Sequence, residues 1–103
     1  MVRILLCCAA GMSTSLLVSK MEESADKKGI ESKIWAVPVG DLENHIKDAD
    51  VVLVGPQIRF KLKYVNTLAE QCSIPASLIN TVDYGRVDGE KVLNLALDLI
   101  NRG

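Results

Sequence analysis

The stretch Cys8-Ala9-Ala10-Gly11-Met12-Ser13-Thr14-Ser15-Leu16-Leu17 holds a thiol, small residues and a run of hydroxyls in the order that phosphoryl chemistry needs. The apolar run 2–7 before it reads as a buried strand, and an amphipathic helix follows. Cys8 therefore begins a short loop that feeds a helix N-terminus. Backbone N–H groups and the positive end of the helix dipole converge there, which suits an anion. The same field favours thiolate over thiol. Cys8 is the expected nucleophile. The backbone amides from Ala10 to Ser15, Met12 included, and the hydroxyls of Ser13, Thr14 and Ser15 are the expected phosphate donors. Ala9, Ala10 and Gly11 are small enough to let backbone approach phosphate closely. A plain helix cap at Ser13 would explain the serine but not the cysteine ahead of it.

The elements that position this loop follow from periodicity. After the strand at 2–7, a helix is expected over 13–28, with Leu17, Met21 and Ala25 at helical spacing and Gly29 as its stop. A second strand at 31–37 carries a lysine and a serine, which suits a sheet edge. A short helix at 41–47 follows. Asp50-Val51-Val52-Leu53-Val54 has the unbroken apolar run of a strand buried on both faces. Gly55-Pro56 ends it, and a helix is expected over 57–72. A short strand at 75–80, a loop at 81–87 and a last helix capped by Asp88 complete the chain.

Alternating strands and helices imply a parallel α/β sheet. Right-handed crossovers give an open four-stranded sheet of order 2-1-3-4 with helices on both faces. The order reverses between strands 1 and 3, and ligands of such sheets bind beyond the carboxyl ends at that point. The loops 8–12 and 55–57 meet there, so topology and chemistry select the same residues. The 103 residues suit one domain, 1–103, with a single core.

Composition removes several functions. A net charge of −1 with interspersed signs lacks the basic footprint of a nucleic-acid binder. Three cysteines, Cys7, Cys8 and Cys72, form neither a disulfide framework nor a C-x-x-C pair, and reduced thiols suit the cytosol. The basic start and apolar run at 1–10 mimic a signal peptide, but Gly11 and three hydroxyl residues stand where a cleavage site belongs. No segment approaches the roughly 20 apolar residues of a membrane span.

Other residues have competing readings. Gln57 either donates to phosphate or starts a helix, and Pro56 stiffens its loop. Tyr84 borders the site, contacts a partner or packs. His45 is expected to be solvent-exposed, and Cys72 to be core. Arg59, Lys61 and Lys63 are solvated charge or a steering patch for an anionic donor.

A strand-end cysteine before a phosphate loop also occurs in cysteine-dependent tyrosine phosphatases. Their C-x5-R pattern would place arginine where this chain has Thr14. The loop is equipped to hold a phosphoryl group and poorly equipped to hydrolyse it, as a relay requires. The segments C-A-A-G-M-S-T-S-L-L-V-S-K-M at 8–21, D-V-V-L-V-G-P-Q-I at 50–58 and D-Y-G-R-V-D-G at 83–89 occur in one order across the chain. On them the chain resembles the IIB components of the lactose/cellobiose (N,N'-diacetylchitobiose) class of the bacterial phosphoenolpyruvate-dependent sugar phosphotransferase system. The resemblance implies a phosphocysteine at Cys8, charged by a phosphohistidine of the IIA component and discharged to a sugar in the membrane permease IIC. It implies no metal and no cofactor. Ala9 departs from the serine common after the nucleophile in that family, which removes one hydroxyl donor. A phosphatase or arsenate-reductase relative and a flavodoxin-like cofactor-binding module are the alternatives. Four aromatic residues, Trp35, Phe60, Tyr64 and Tyr84, give a flavin little to stack on.

Overall fold

A computed structural model of the chain describes residues 1–9 and 14–102. Strands β1 (Val2–Cys8), β2 (Ser32–Pro38), β3 (Val51–Val54) and β4 (Ala76–Leu78) form one parallel sheet in the order β2-β1-β3-β4. This is the expected order, with β2 at an edge and the reversal between β1 and β3.

The sheet is covered on both faces, and strand alternation decides which residue goes where. Ile4 and Leu6 of β1, with Val51 and Leu53 of β3, pack against helices α1 (Ser15–Lys27) and α5 (Gly89–Arg102) through Leu17, Met21, Ala25, Val92, Leu93 and Ala96. Leu5 and Cys7, with Val52 and Val54, face the opposite layer. That layer contains Leu42 of α2 (Leu42–His45) and Val65 and Ala69 of α3 (Leu62–Gln71). All four β3 residues are fully buried. Truncating a residue such as Leu53 to alanine should cost about 2–5 kcal/mol. The α1/α5 contact is backbone-close at one point, where a Cβ on Gly89 would fall on the backbone of Lys20.

Several boundaries differ from the sequence expectation. β1 continues through Cys8, which pairs in register with Pro38, so Cys8 ends the strand rather than starting the loop. Helix α1 starts at Ser15 rather than at 13. The helix expected over 57–72 is divided into a 3-10 segment, Pro56–Lys61, itself broken at Ile58, which leaves helical geometry at φ −118° and ψ 31°, and α3. The expected loop at 81–87 contains a short helix, α4 (Thr81–Gly85), capped by the Asn80 side chain, which accepts from the N–H groups of Val82 and Asp83. Asp88 caps α5 as expected, its Oδ1 accepting from the Lys91 N–H at 3.1 Å.

Candidate functional site

The period of two along β1 sends the adjacent thiols to opposite faces. Cys7 is sealed in the aliphatic layer with Leu5 and Val54. Burial, and secondarily the neighbouring Cys8, push its thiol up to about 12, which keeps it protonated and non-nucleophilic at neutral pH.

Cys8 lies among polar partners instead. Its Sγ is 3.4 Å from Thr14 Oγ1, a contact in which either atom can donate, and 3.7 Å from the carbonyl oxygen of Val37, to which the thiol donates. Cys8 is 1% exposed and Thr14 is fully buried, so the sulfur sits just below the surface at the carboxyl end of β1. Thr14 precedes α1, and its carbonyl accepts from the Val18 N–H at 2.9 Å. Ser15 opens the helix and is exposed, as is Ala9. The expected loop donors Ala10, Gly11, Met12 and Ser13 lie outside the described residues.

The second loop meets the end of β1 through backbone. The Gly55 N–H donates to the Cys7 carbonyl at 2.9 Å. Around Gly55 the chain is crowded. A Cβ there would lie 3.0 Å from Gln57 Oε1, 3.5 Å from the Cys7 carbonyl oxygen and 3.7 Å from a ring carbon of Tyr84. Gln57 and Tyr84, far apart in sequence, therefore converge beside the end of β1. With Pro56, Arg59, Thr81 and Gly85 they line a groove of about 280 Å³.

Two further expectations meet the structure differently. His45 is half-buried rather than solvent-exposed, because its Nδ1 accepts from the Trp35 indole N–H at 3.3 Å. Cys72 is only partly buried, at the rim of the layer that holds Cys7. Among the described residues there is no cluster of three or more His, Cys, Asp or Glu side chains able to hold a metal.

Sequence reasoning placed Thr14 among the phosphate donors and did not anticipate its contact with the sulfur. The available signal was its position six residues after Cys8, the distance over which the turn brings helix start back to strand end. The apolar residues left outside the core were not anticipated either. Leu16, Phe60 and Val82 are 56%, 75% and 58% exposed, and each follows the carboxyl end of a different strand.

The family model described as "PTS system, Lactose/Cellobiose specific IIB subunit" matches residues 3–95. The chain is 43% identical over 100 residues to an oligo-beta-mannoside-specific EIIB component of Bacillus subtilis, covering 97% of each chain. It is also 43% identical over 103 residues to a galactose-specific and to a cellobiose-specific EIIB component of Lactococcus lactis, covering 95% of each chain in both cases. The solution structure of a cellobiose-specific IIB component from Borrelia burgdorferi superposes with a TM-score of 0.82 at 44% identity, over 98% of this chain and 93% of that one. The lactose-specific IIB domain of Streptococcus pneumoniae shares the fold, with a TM-score of 0.85 at 18% identity over 95% of this chain and 96% of that one. These matches lend no support to the phosphatase or cofactor-binding alternatives.

Proposed function

The chain belongs to the lactose/cellobiose-specific IIB subunits of the sugar phosphotransferase system, and from that premise we propose that Cys8 is the residue that carries its phosphoryl group. The observation that carries this reading is the position of the Cys8 sulfur. It lies at the carboxyl end of β1, at the point where sheet order reverses, against Thr14, the residue that precedes α1. A phosphate bonded there faces the N-terminal end of α1, where the helix dipole favours negative charge.

The transfer is an in-line displacement. The Cys8 thiolate attacks phosphorus on a phosphohistidine of a IIA component. The S–P bond forms as the N–P bond breaks, and the electron pair returns to the imidazole nitrogen. A sugar hydroxyl held in a IIC permease then attacks the same phosphorus. The O–P bond forms, the S–P bond breaks, the electron pair stays on sulfur, and the hydroxyl proton leaves to a base at the sugar site. The amides and hydroxyls from Ala9 to Ser15 are the phosphate cradle in this reading. Pro56, Gln57 and Tyr84 form its wall toward the partner.

Residues 1–103 act as one domain, since both apolar layers share the one sheet. No helix among the described residues is long and apolar enough to cross a membrane. In this reading the relay works from the cytoplasmic side, against the permease. The exposed Leu16, Phe60 and Val82, all at the carboxyl edge, and Arg59 beside the groove suit docking of a protein that carries an anionic group. Which sugar is served is a property of the permease. Relatives equally similar to this chain are named for oligo-beta-mannoside, galactose and cellobiose.

The test is intact mass and fragment mapping after incubation with phosphoenolpyruvate, the general phosphotransfer proteins and a cellobiose-class IIA. One phosphoryl group on Cys8, absent without IIA and absent in Cys8→Ser, is the expected result. Phosphorylation of Cys8→Ser at the parent rate, or of Cys7 in the parent, would overturn it.

A further inference from the structure

We propose that the hydrogen bond between Trp35 and His45 is a proton-operated latch: neutral His45 ties the α2 segment to the edge strand β2, and protonation of the imidazole releases that tie. The latch lies outside the phosphoryl-transfer machinery and does not depend on the role of Cys8.

The direction of the bond is fixed by its donor. An indole N–H can only donate, so the His45 Nδ1 that faces it at 3.3 Å presents a lone pair. The ring proton of neutral His45 is then on Nε2. A second proton enters at Nδ1, and an imidazolium has donors alone. The proton that charges the ring therefore removes the bond. Trp35 and His45 are both half-buried, so solvent protons reach the pair.

The charged ring finds no substitute on the indole. The edge of an aromatic ring is its positive side, and the Lys33 ammonium of β2 lies over the Trp35 ring, 4.6 Å from its centroid. On the segment that carries His45, the Glu43 carboxylate accepts from the Tyr64 phenol of α3 at 2.9 Å. Asp48 lies within the field of Arg3. Asp41 and Lys47 are the other charged groups of that segment. Two thiols border the same layer, Cys72 after α3 and Cys7 of β1. Burial pushes the Cys7 thiol up to about 12, so it stays neutral from pH 5 to 8, where histidines change charge.

Chain length shows what the latch governs. Helix α2 is a single turn without a side-chain cap, so tertiary contacts set its position. Leu42 and Ile46 anchor it by burial, and His45 ties it to the sheet edge. That tie closes a span of ten residues, which contains the end of β2 and the 3-10 turn Val39–Asp41. Pro38, within the span, is in register with Cys8. Release keeps the apolar anchors and loosens the turn that leads from them to the carboxyl edge.

The chain has one tryptophan and one histidine, so each reports on the pair alone. The indole N–H signal of Trp35 is followed by NMR from pH 8 to pH 5 in the whole isotopically labelled chain, as parent, His45→Gln and His45→Phe. In the parent the signal should move upfield as pH falls. In His45→Gln, whose amide oxygen accepts at every pH, it should hold still. In His45→Phe it should begin at pH 8 near the position the parent reaches at pH 5. The amide signals of Val39, Gly40 and Asp41 should move with the indole signal in the parent and not in His45→Gln. A double-mutant cycle of Trp35→Phe and His45→Ala on the unfolding equilibrium constant should give a coupling of about fivefold at pH 8, shrinking to near unity at pH 5. An indole signal that holds still in the parent, one that moves as far in His45→Gln, or a coupling that persists at pH 5 overturns the latch. An indole signal that moves while those of Val39, Gly40 and Asp41 do not overturns the release of the turn.

Discussion

The two ends of the parallel sheet are built to opposite purposes. At the amino edge, polar groups answer one another locally. The Arg3 guanidinium meets the Asp50 carboxylate at 3.0 Å. The Arg3 N–H donates to Asp50 Oδ2 at 2.9 Å, and the Asp50 N–H donates to the Arg3 carbonyl at 2.8 Å. At the carboxyl edge, a thiol, a hydroxyl, an amide and a phenol gather beside exposed apolar side chains. Cavity size does not distinguish the ends. The depression lined by Met1, Asp26, Gly29, Ile30, Glu31 and Ser32 is about 480 Å³, larger than the groove of about 280 Å³ beside Gln57 and Tyr84. Only the second adjoins a nucleophile. Reactivity in this fold is read from which atoms converge, not from how much space they enclose.

Backbone shows the same contrast. The cap that closes α1 at the amino edge places Gly29 in the left-handed region at φ +69°, with the Ile30 N–H returning to the Ala25 carbonyl. The same cap closes α4 near the carboxyl edge, with the Asp88 N–H returning to Asp83, but Val87 occupies the left-handed position at φ +53°. Glycine takes that conformation without steric cost. A β-branched residue there costs on the order of 1–3 kcal/mol, offset here by packing of Val87 against the core.

The sharpest division falls between adjacent residues of one strand, and the largest effects are expected there. Cys8→Ser should abolish stable phosphorylation, measured by intact mass, while leaving the urea midpoint close to that of the parent. Cys7→Ala should retain phosphorylation and change stability in a pH-dependent way. The Cys7 thiol is pushed by burial from its ordinary 9.0 up to about 12. Its contribution is therefore fully present below about pH 9 and is lost as pH rises toward 12. Over that window the parent should lose about 4 kcal/mol relative to Cys7→Ala, read from paired urea titrations. Parallel pH curves would mean that Cys7 is not sealed in the core.

Much of this architecture was legible before the structure. The unbroken apolar runs of β1 and β3 announce central strands, and the strand–helix alternation yields their order. The approach of the second loop to the end of β1 follows from that order. What escaped was governed by contacts distant in sequence or by elements too short for a period. Helix α4 has five residues, less than two turns, and its one local signal was the capping Asn80. His45 was misjudged because its partner, Trp35, comes from the neighbouring strand. Phe60, in the run Ile58-Arg59-Phe60-Lys61-Leu62, cannot be sorted from its core neighbours until the kink at Ile58 turns it outward.

That outward turn gives the next prediction. Phe60 is 75% exposed, so Phe60→Ala should change folding stability by no more than about 0.5 kcal/mol. An exposed aromatic at a docking edge nevertheless anchors partners. The variant should need about five- to tenfold more phosphorylated IIA for half-maximal transfer, with the maximal rate preserved. An unchanged requirement would remove Phe60 from the docking surface and shift the contact toward Leu16 and Val82.

The amino edge supplies the smallest effect and the clearest control. Hydrogen bonding to the Arg3 side chain, then to its backbone, outweighs partial burial and holds the Asp50 carboxyl below its ordinary 3.8. A carboxylate depressed in this way stabilises the fold above its unfolded value and loses that contribution as pH falls through the folded one. Asp50→Asn should therefore be slightly less stable than the parent at neutral pH, because the pair is partly exposed and screened by solvent. The two denaturation curves should converge below about pH 4. Phosphoryl transfer by Asp50→Asn should match the parent, since the ion pair lies at the end of β1 opposite Cys8. A transfer defect in this variant at neutral pH, with folding intact, would mean that the two edges are coupled through β1 and are not separate in function.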